Sequence, residues 1–406
     1  MARSWITQGA RGIVICGLLP SPLLALAARS IPASPESVAV LGDDLASGAG
    51  SSPLLKYDAD LLWDLFKREN LSTPTVPEEI AAFVSGQALT PPQTLWMTER
   101  EYSGSFAWVF KHVLASFSKV YLNTEEYSWG YLAAKALGVA SQNIYVAAEN
   151  GARIDTLSRQ IDRLLLGRDG QLPEKIFILF SLNDICAAHP DYMTSAQDYR
   201  ASLTRGLQYL LRHGKAAPQG SSIYVLGPLG VTQLLTKASI LQKPLEAHGE
   251  STTCGELRSR SYQASKPAAM MRHMESLYFQ HILPPNPARL CPSMFSREFI
   301  AQNELGFFAS LNKNSRLKKI SSLASEMVST LAGRIRSYRS GTAAALSETQ
   351  AWLEKEKIPG KFSLQYVGET DSIELEGDDI ADDCFHLNWR GQLKIARVLS
   401  KHIQGK

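Results

Sequence analysis

Short polar segments follow the apolar runs of this 406-residue chain, and they carry the residue types that could do chemistry. Near the C-terminus, Asp383 and His386 have a spacing that lets a carboxylate orient an imidazole. We interpret the neighbouring Asp378, Asp379 and Asp382 as solvated charges that favour the start of a helix. Three earlier apolar runs end in comparable segments, namely Gly42-Asp43-Asp44-Leu45, Asn150-Gly151-Ala152 and Ser181-Leu182-Asn183-Asp184.

The elements that position these segments are of two kinds: short apolar runs typical of buried strands, and longer stretches with apolar side chains at helical spacing. The strand candidates are Ser37–Leu41, Asn143–Ala147, Lys175–Phe180, Ser222–Leu226 and Phe362–Val367. Between and after them, residues 154–164, 199–210 and 393–399 have apolar side chains at helical spacing. This alternation predicts an α/β fold with a doubly wound parallel sheet. Because ligands bind outside the carboxyl ends of such strands, we expect the polar segments to converge on one edge.

With these motifs in this order, the chain resembles the SGNH/GDSL hydrolases from about Val38 to its C-terminus. Asn183-Asp184-Ile185-Cys186 together with Asp383-Cys384-Phe385-His386 is most similar to the phospholipase B branch. The resemblance implies a three-layer α/β/α, flavodoxin-like fold and esterase or lipase chemistry without a cofactor. It also implies an acyl ester or a phospholipid as the ligand.

The family's functional residues can be compared with this chain one by one. The resemblance implies that Gly151 and Asn183 donate to an oxyanion, that His386 is the base and that Asp383 orients it. The nucleophile of the family is the serine of Gly-Asp-Ser-Leu, and this chain has Asp44 there. A smaller departure is Ser181, where the family usually has glycine.

An aspartate at position 44 changes the expected chemistry. Its carboxylate has no proton to hand to His386 at neutral pH, and it could itself occupy the oxyanion donors. With Asp383 on the other side, it would favour a charged imidazole, which is a poor base. We therefore expect a protein that binds acyl esters or phospholipids but is impaired in hydrolysing them.

Two alternatives stay open for the reaction. One is an active ester hydrolase with another nucleophile, for which Ser47, Ser51 and Ser52 are the nearby hydroxyls. The other is Asp44 itself as a nucleophile. An acyl ester would then give an anhydride, so a carboxylate would suit displacement at saturated carbon better.

Composition and charge restrict the class of protein. Hydrophobic residues make up 45% of the chain and the formal net charge is +3, without a dense Lys/Arg run. We thus expect a globular protein and no nucleic-acid partner. Residues 313–339 predict an amphipathic helix packed on the body, and Arg316, Lys318 and Lys319 leave interfacial lipid contact as the alternative.

The N-terminus has the layout of a cleaved signal peptide over residues 1–27, with basic residues, an apolar stretch and then Ala25-Leu26-Ala27. This predicts a secreted or periplasmic protein. The remaining chain forms one domain, 37–406, with long insertions around 53–140 and 227–360. His189 lies near the expected crevice, and we interpret it as an exposed loop residue rather than a substrate contact.

Four cysteines remain after removal of the signal peptide, which predicts disulfides in an exported protein. They are Cys186, Cys254, Cys291 and Cys384. Three connectivities are open, and we favour Cys254 with Cys291 because both lie in the Pro-rich second insertion. The long spacings lack a zinc pattern, so no metal site is expected.

Overall fold

A computed structural model gives the protein's structure over residues 37–51, 77–84, 125–186, 192–247, 250–255, 291 and 313–405. Within residues 245–247, 250–252 and 313–325 it describes the backbone alone. The strands are β1 Val38–Gly42, β2 Ile144–Val146, β3 Lys175–Leu179, β4 Ser221–Leu226, β5 Pro244–Ala247, β6 Glu250–Thr253 and β7 Phe362–Val367. The α-helices are α1 Asp44–Ser47, α2 Glu78–Phe83, α3 Trp129–Ala136, α4 Leu157–Leu166, α5 Leu182–Ile185, α6 Ala196–His213, α7 Gln233–Thr236, α8 Ala238–Leu241, α9 Lys313–Glu356 and α10 Trp389–Gln404.

Five of the strands form a parallel sheet in the order β2-β1-β3-β4-β7. Val38 at the start of β1 pairs with Ile144 on one side and with Lys175 on the other. β4 continues the sheet, pairing with β3 and β7 in parallel register. The predicted α/β class and its five strands are confirmed, and the order is compatible with a flavodoxin-like layout. β5 and β6 form a separate antiparallel pair.

The core lies between the sheet and its helices. All five residues of β1 are buried, as a central parallel strand requires. Gly130 of α3 lies so close to β1 that an added Cβ would be 2.5 Å from a methyl group of Val40. Farther along the chain, the stacked rings of Tyr199 and Tyr338, with centroids 4.2 Å apart, join α6 to α9. These contacts hold the framework from which the polar loops project.

Helix α9 extends beyond the predicted residues 313–339 and ends at Glu356. Its buried positions Thr342, Ala345 and Thr349 continue the helical spacing of Ile335 and Tyr338 past residue 339, which explains the greater length. The side chains of Arg316, Lys318 and Lys319, on which lipid contact depends, lie outside the described residues. None of the described helices is long and apolar enough to span a membrane.

The proposed signal peptide, residues 1–27, also lies outside the described part of the chain, as does most of the first insertion. From the second insertion, the structure describes 227–247, 250–255, Cys291 and the helix from Lys313 onward. The division into one domain with two insertions therefore stays a prediction.

Candidate functional site

The loop after β1 is held by buried polar contacts. The side-chain amide of Gln160 on α4 accepts a hydrogen bond from the Gly42 nitrogen and donates one to the Gly42 carbonyl, both at 2.8 Å. A Cβ at Gly42 would lie 2.1 Å from the Leu179 carbonyl oxygen, so only glycine fits where β1 passes β3. The chain is thereby fixed at the point where it enters α1.

Asp43 connects this loop to the loop after β3. Its fully buried carboxylate accepts hydrogen bonds from the backbone nitrogens of Ser181 and Leu182, each at 2.8 Å, and from Leu45. Burial and the charge of Asp44 raise the pKa of Asp43 to about 7, against the lowering effect of the Ser181 and Leu182 N–H groups. Asp43 therefore positions the two loops against each other.

The carboxylate of Asp44, the first residue of α1, lies beside Gly151. Oδ1 of Asp44 accepts a hydrogen bond from the Gly151 nitrogen at 2.5 Å. The segment before Gly151 is attached to β1, since Glu149 N donates to the Gly42 carbonyl and Ala147 N to the Val40 carbonyl. Gly151 has φ of +73°, a conformation that favours glycine. This backbone pairing aims the Gly151 N–H at residue 44.

The Asp383–His386 turn approaches Asp44 from the other side. Asp383 accepts backbone hydrogen bonds from Phe385 and His386 through Oδ1, and its Oδ2 lies 2.5 Å from Nδ1 of His386. The other ring nitrogen, Nε2, is 3.8 Å from Oδ2 of Asp44. The imidazole thus lies between two carboxylates, one in a short hydrogen bond and one in a longer ion pair.

The charges of this trio are mutually dependent. Burial alone would lower the pKa of His386, but the charge and hydrogen bond of Asp383, with a further contribution from Asp44, raise it to about 10. Burial likewise opposes ionisation of Asp383, yet contact with His386 keeps the pKa of this carboxyl below its usual value. At neutral pH His386 is therefore an imidazolium, with no free nitrogen to act as a base.

Close packing fixes the position of His386. Gly50, with φ of +74°, lies against the ring, and a Cβ there would be 2.6 Å from the His386 Cβ. The ring of Phe385 meets the imidazole edge to face, with centroids 4.8 Å apart. The backbone of Cys384 has a positive φ of 59°, which lets the turn place Asp383 and His386 side by side.

Asn183 lies on α5, directly beyond the two backbone nitrogens that bind Asp43. Its Nδ2 is buried and has no hydrogen-bond partner among the residues that the structure describes. A buried N–H group without an acceptor is unfavourable in an isolated structure, so a ligand oxygen would stabilise it. The structure joins Asp44, Gly151, Asp383 and His386 by direct contacts, while Asn183 lies on the neighbouring loop without a direct bond to Asp44.

Asp184 supports the neighbouring loops through contacts that sequence reasoning missed. Its carboxylate accepts hydrogen bonds from the Ile154 nitrogen and from the hydroxyl of Thr194, and burial raises its pKa to about 7. Tyr338 on α9 donates to the backbone carbonyls of Asp184 and Thr194. The only sign of this role in the sequence was the position of Asp184 next to the candidate Asn183, and Asp43 has the same relation to Asp44. For Gln160, the signal was a polar residue on the apolar face of α4.

Ser47, one of the alternative nucleophiles, is directed elsewhere. Its hydroxyl is buried and lies within hydrogen-bonding distance of the Asp44 carbonyl and Asn150 Oδ1, and within the described residues it does not bond to His386. Ser51 donates to the Gly48 carbonyl. Ser52 and His189 lie outside the described residues.

The interpretation of the acidic residues before α10 as solvated charges agrees with the exposed Asp378 and the partly exposed Asp382 but is wrong for Asp379, although all three have basic partners. Asp379 is buried and pairs with Lys394 at 2.5 Å, Asp378 with Arg390 and Asp382 with Lys243. Within the described ranges, no group of three or more histidine, cysteine or acidic side chains is arranged to hold a metal ion.

Two disulfides attach the site loops to the second insertion. They join Cys186 to Cys291 and Cys254 to Cys384. The expectation of disulfides is supported, but the favoured pairing of Cys254 with Cys291 is wrong. Both cysteines of that insertion instead bind site loops 105 and 130 residues away in sequence, because the fold brings the ends of α5 and the Asp383–His386 turn to it.

Comparison with known proteins adds no family assignment, since no protein-family model and no curated protein matches the chain.

Proposed function

We propose that this protein is an SGNH/GDSL-like protein that binds acyl esters or phospholipids and is impaired in hydrolysing carboxylic esters. The proposal includes a three-layer α/β/α arrangement with two insertions and export through the N-terminal signal peptide. Two disulfides and described helices that do not span a membrane are compatible with export.

One observation carries the proposal: Asp44 Oδ1 lies 2.5 Å from the Gly151 nitrogen. A donor in this position would serve the negative oxygen of an ester intermediate in a family member. Here the side chain of Asp44 accepts the hydrogen bond of that donor. An ester carbonyl would have to displace that carboxylate and would then meet no hydroxyl nucleophile at position 44.

The state of His386 supports the same conclusion. A serine nucleophile needs a neutral imidazole to take its proton. Asp44 and Asp383 together hold the imidazole in its charged form, with the pKa of His386 at about 10. The residues that would bind and polarise an ester are thus present, but the proton transfer that starts ordinary turnover has neither its donor nor its acceptor.

The test is an esterase assay on disulfide-intact protein with p-nitrophenyl acetate and butyrate. We expect little turnover by the wild type, and a gain of about 100-fold or more for Asp44→Ser, because a base and an oxyanion donor each contribute roughly that factor. Asp44→Ser combined with His386→Ala should lose the gain. Asp378→Ser, which changes an exposed carboxylate, should have no effect.

Binding is measured separately, by following the His386 imidazole signals during titration with dihexanoylphosphatidylcholine. Saturable shifts would support a lipid ligand, and unchanged signals would contradict it. Wild-type turnover that is lost in His386→Ala but kept in Asp44→Ala would overturn the impaired-hydrolase assignment and indicate another nucleophile.

A further inference from the structure

The two oxygens of Asp44 lie in different environments. Oδ1 is held by the Gly151 nitrogen at 2.5 Å, whereas Oδ2 is 3.8 Å from Nε2 of His386 and accepts no hydrogen bond of ordinary length within the described residues. About a tenth of the Asp44 side chain is exposed to solvent. Asp44 therefore has one oxygen anchored by the backbone and one oxygen without a short hydrogen bond, 3.8 Å from Nε2 of His386.

A carboxylate in this position matches one class of electrophile. Attack on an acyl group would produce an anhydride, but attack on a saturated carbon produces an ordinary ester of Asp44. The carbonyl oxygen of that ester would be Oδ1, which already accepts the Gly151 N–H. The oxyanion donor would then act on the protein's own ester and promote its hydrolysis.

We propose that Asp44 opens epoxides through a covalent ester and that the site hydrolyses this ester to release a 1,2-diol. The inference uses the same residues as the proposed function, but it does not require that acyl esters or phospholipids bind.

The first half-reaction forms the ester. Oδ2 of Asp44 attacks one ring carbon, and the bond from that carbon to the ring oxygen breaks. Nε2 of His386 gives its proton to the departing oxygen. The result is a 2-hydroxyalkyl ester of Asp44 next to a neutral imidazole, which Asp383 still holds through Nδ1 at 2.5 Å.

The second half-reaction hydrolyses the ester. Nε2 of His386 takes a proton from water, whose oxygen adds to Cγ of Asp44 while the Gly151 N–H stabilises Oδ1. The Cγ–Oδ2 bond then breaks, and the diol leaves with Oδ2 and a proton from His386. The new carboxylic acid at residue 44 returns its proton to His386, which restores both charges. The net change is epoxide plus water to diol.

The charge of the site favours an epoxide over an alkyl halide. Asp44, Asp383 and charged His386 together carry one negative charge. Opening an epoxide leaves that total unchanged, with Asp383 as the only ion of the three. Displacing a halide would leave three ions in the buried site, because the released halide replaces the charge of Asp44 beside protonated His386, whereas opening an epoxide leaves one. Protonated His386 also supplies the acid that a departing alkoxide needs and that a halide does not.

The alkylation also makes His386 available as a base. While Asp44 is ionised, it contributes to the raised pKa of His386. An ester at residue 44 carries no charge, so this contribution is lost when the base is needed. The site thus has an acid for the first step and a base for the second in one imidazole.

The experiment uses the disulfide-intact protein with styrene oxide and 1,2-epoxyhexane. In a single turnover in H₂¹⁸O, we expect the peptide containing Asp44 to gain 2 Da or more by mass spectrometry and the first diol to contain no ¹⁸O. Wild-type diol formation should exceed that of Asp44→Asn by about 100-fold or more. Asp378→Asn, an exposed carboxylate variant, should behave like the wild type.

His386→Gln should form the epoxide adduct on Asp44 more slowly than the wild type, because the acid of the first step is missing, and should retain the adduct that does form, because the base of the second step is missing too. If that variant does not fold, as judged by circular dichroism, the ¹⁸O experiment on the wild type decides alone. A first-turnover diol that contains ¹⁸O, or no label in Asp44 together with no diol, would overturn the inference. Lipid binding with no reaction of epoxides would contradict this inference and leave the proposed function in place. Epoxide turnover without lipid binding would contradict the proposed function and leave this inference in place.

Discussion

Oδ2 of Asp44 and Nε2 of His386 are 3.8 Å apart, so the first residue of α1 is ion-paired with the buried histidine of the candidate site. The other ring nitrogen is hydrogen-bonded to Asp383. In a serine hydrolase, a neutral histidine takes the proton of the serine hydroxyl as this attacks the substrate. Here Asp44 instead stabilises the protonated ring, and residue 44 has no hydroxyl proton for the ring to take.

The first prediction concerns the acidity of His386. Asp44→Asn keeps the shape of residue 44 and removes one of the two charges that favour the imidazolium, so the pKa of His386 should fall. NMR titration of the ring signals in both proteins measures the change. Equal values would show that Asp44 does not face His386 in solution.

The free energy of unfolding should depend on the protonation of the same histidine. The pKa of His386 is about 10 in the folded protein, above the usual value of 6.5, so the folded state binds the proton more tightly than the unfolded chain. This contribution is complete below pH 6.5 and disappears as the pH rises to about 10. Urea denaturation at pH 6, 8 and 10 should show a smaller loss for Asp44→Asn than for the wild type.

A second pH dependence is expected from Asp184. Burial raises its pKa to about 7 from an ordinary 3.8, so its contribution to stability is complete below pH 3.8 and is lost as the pH rises through 7. In Asp184→Asn, the amide oxygen can still accept from the Ile154 nitrogen, and no charge forms. The free energy of unfolding should change less between pH 5 and pH 7.5 in the variant. An unchanged slope would mean that Asp184 does not titrate in this range.

A fourth prediction compares two glycines with nearly the same backbone conformation. Gly50 and Gly151 have φ of +74° and +73°, but a Cβ at Gly50 would lie 2.6 Å from His386, while none of the described atoms lies within 4 Å of one at Gly151. Both alanine variants should lose about 1 kcal/mol from left-handed strain. Gly50→Ala should lose roughly 1–3 kcal/mol more from overpacking. Thermal unfolding measures the difference, and equal losses would contradict the packing of Gly50 on His386.

Much of the sheet was predictable because each strand is a short apolar run bounded by polar segments. The predicted Lys175–Phe180 and the observed Lys175–Leu179 differ by one terminal residue. The length of α9 was underestimated because the prediction ended with the basic stretch at residue 339, although the buried Ala345 and Thr349 continue the face that contains Tyr338. Local periodicity thus indicated the elements, and their ends depended on tertiary packing.

The candidate site was less accessible to sequence reasoning. Asp44, Gly151, Asp383 and His386 follow strands or precede a helix at one edge of the sheet, so their proximity follows from the topology. Their functional roles stay predictions. Asp43 and Gln160 could not be identified in advance, because their partners Leu182 and Gly42 are more than 100 residues away in sequence. The same non-local geometry made the cysteine pairing unpredictable from spacing.

The last prediction concerns those cysteines. Non-reducing peptide mapping should identify Cys186 with Cys291 and Cys254 with Cys384. The second bond closes 130 residues and includes Cys384, which lies between Asp383 and His386. Replacing Cys254 and Cys384 together by alanine should lower the free energy of unfolding by about 2–4 kcal/mol and loosen the Asp383–His386 turn. The matched pair of variants at Cys186 and Cys291 should lose comparable stability with a smaller effect on the His386 signals, because that bond holds α5 rather than the turn. A peptide linking Cys254 to Cys291 would contradict this arrangement of the two loops.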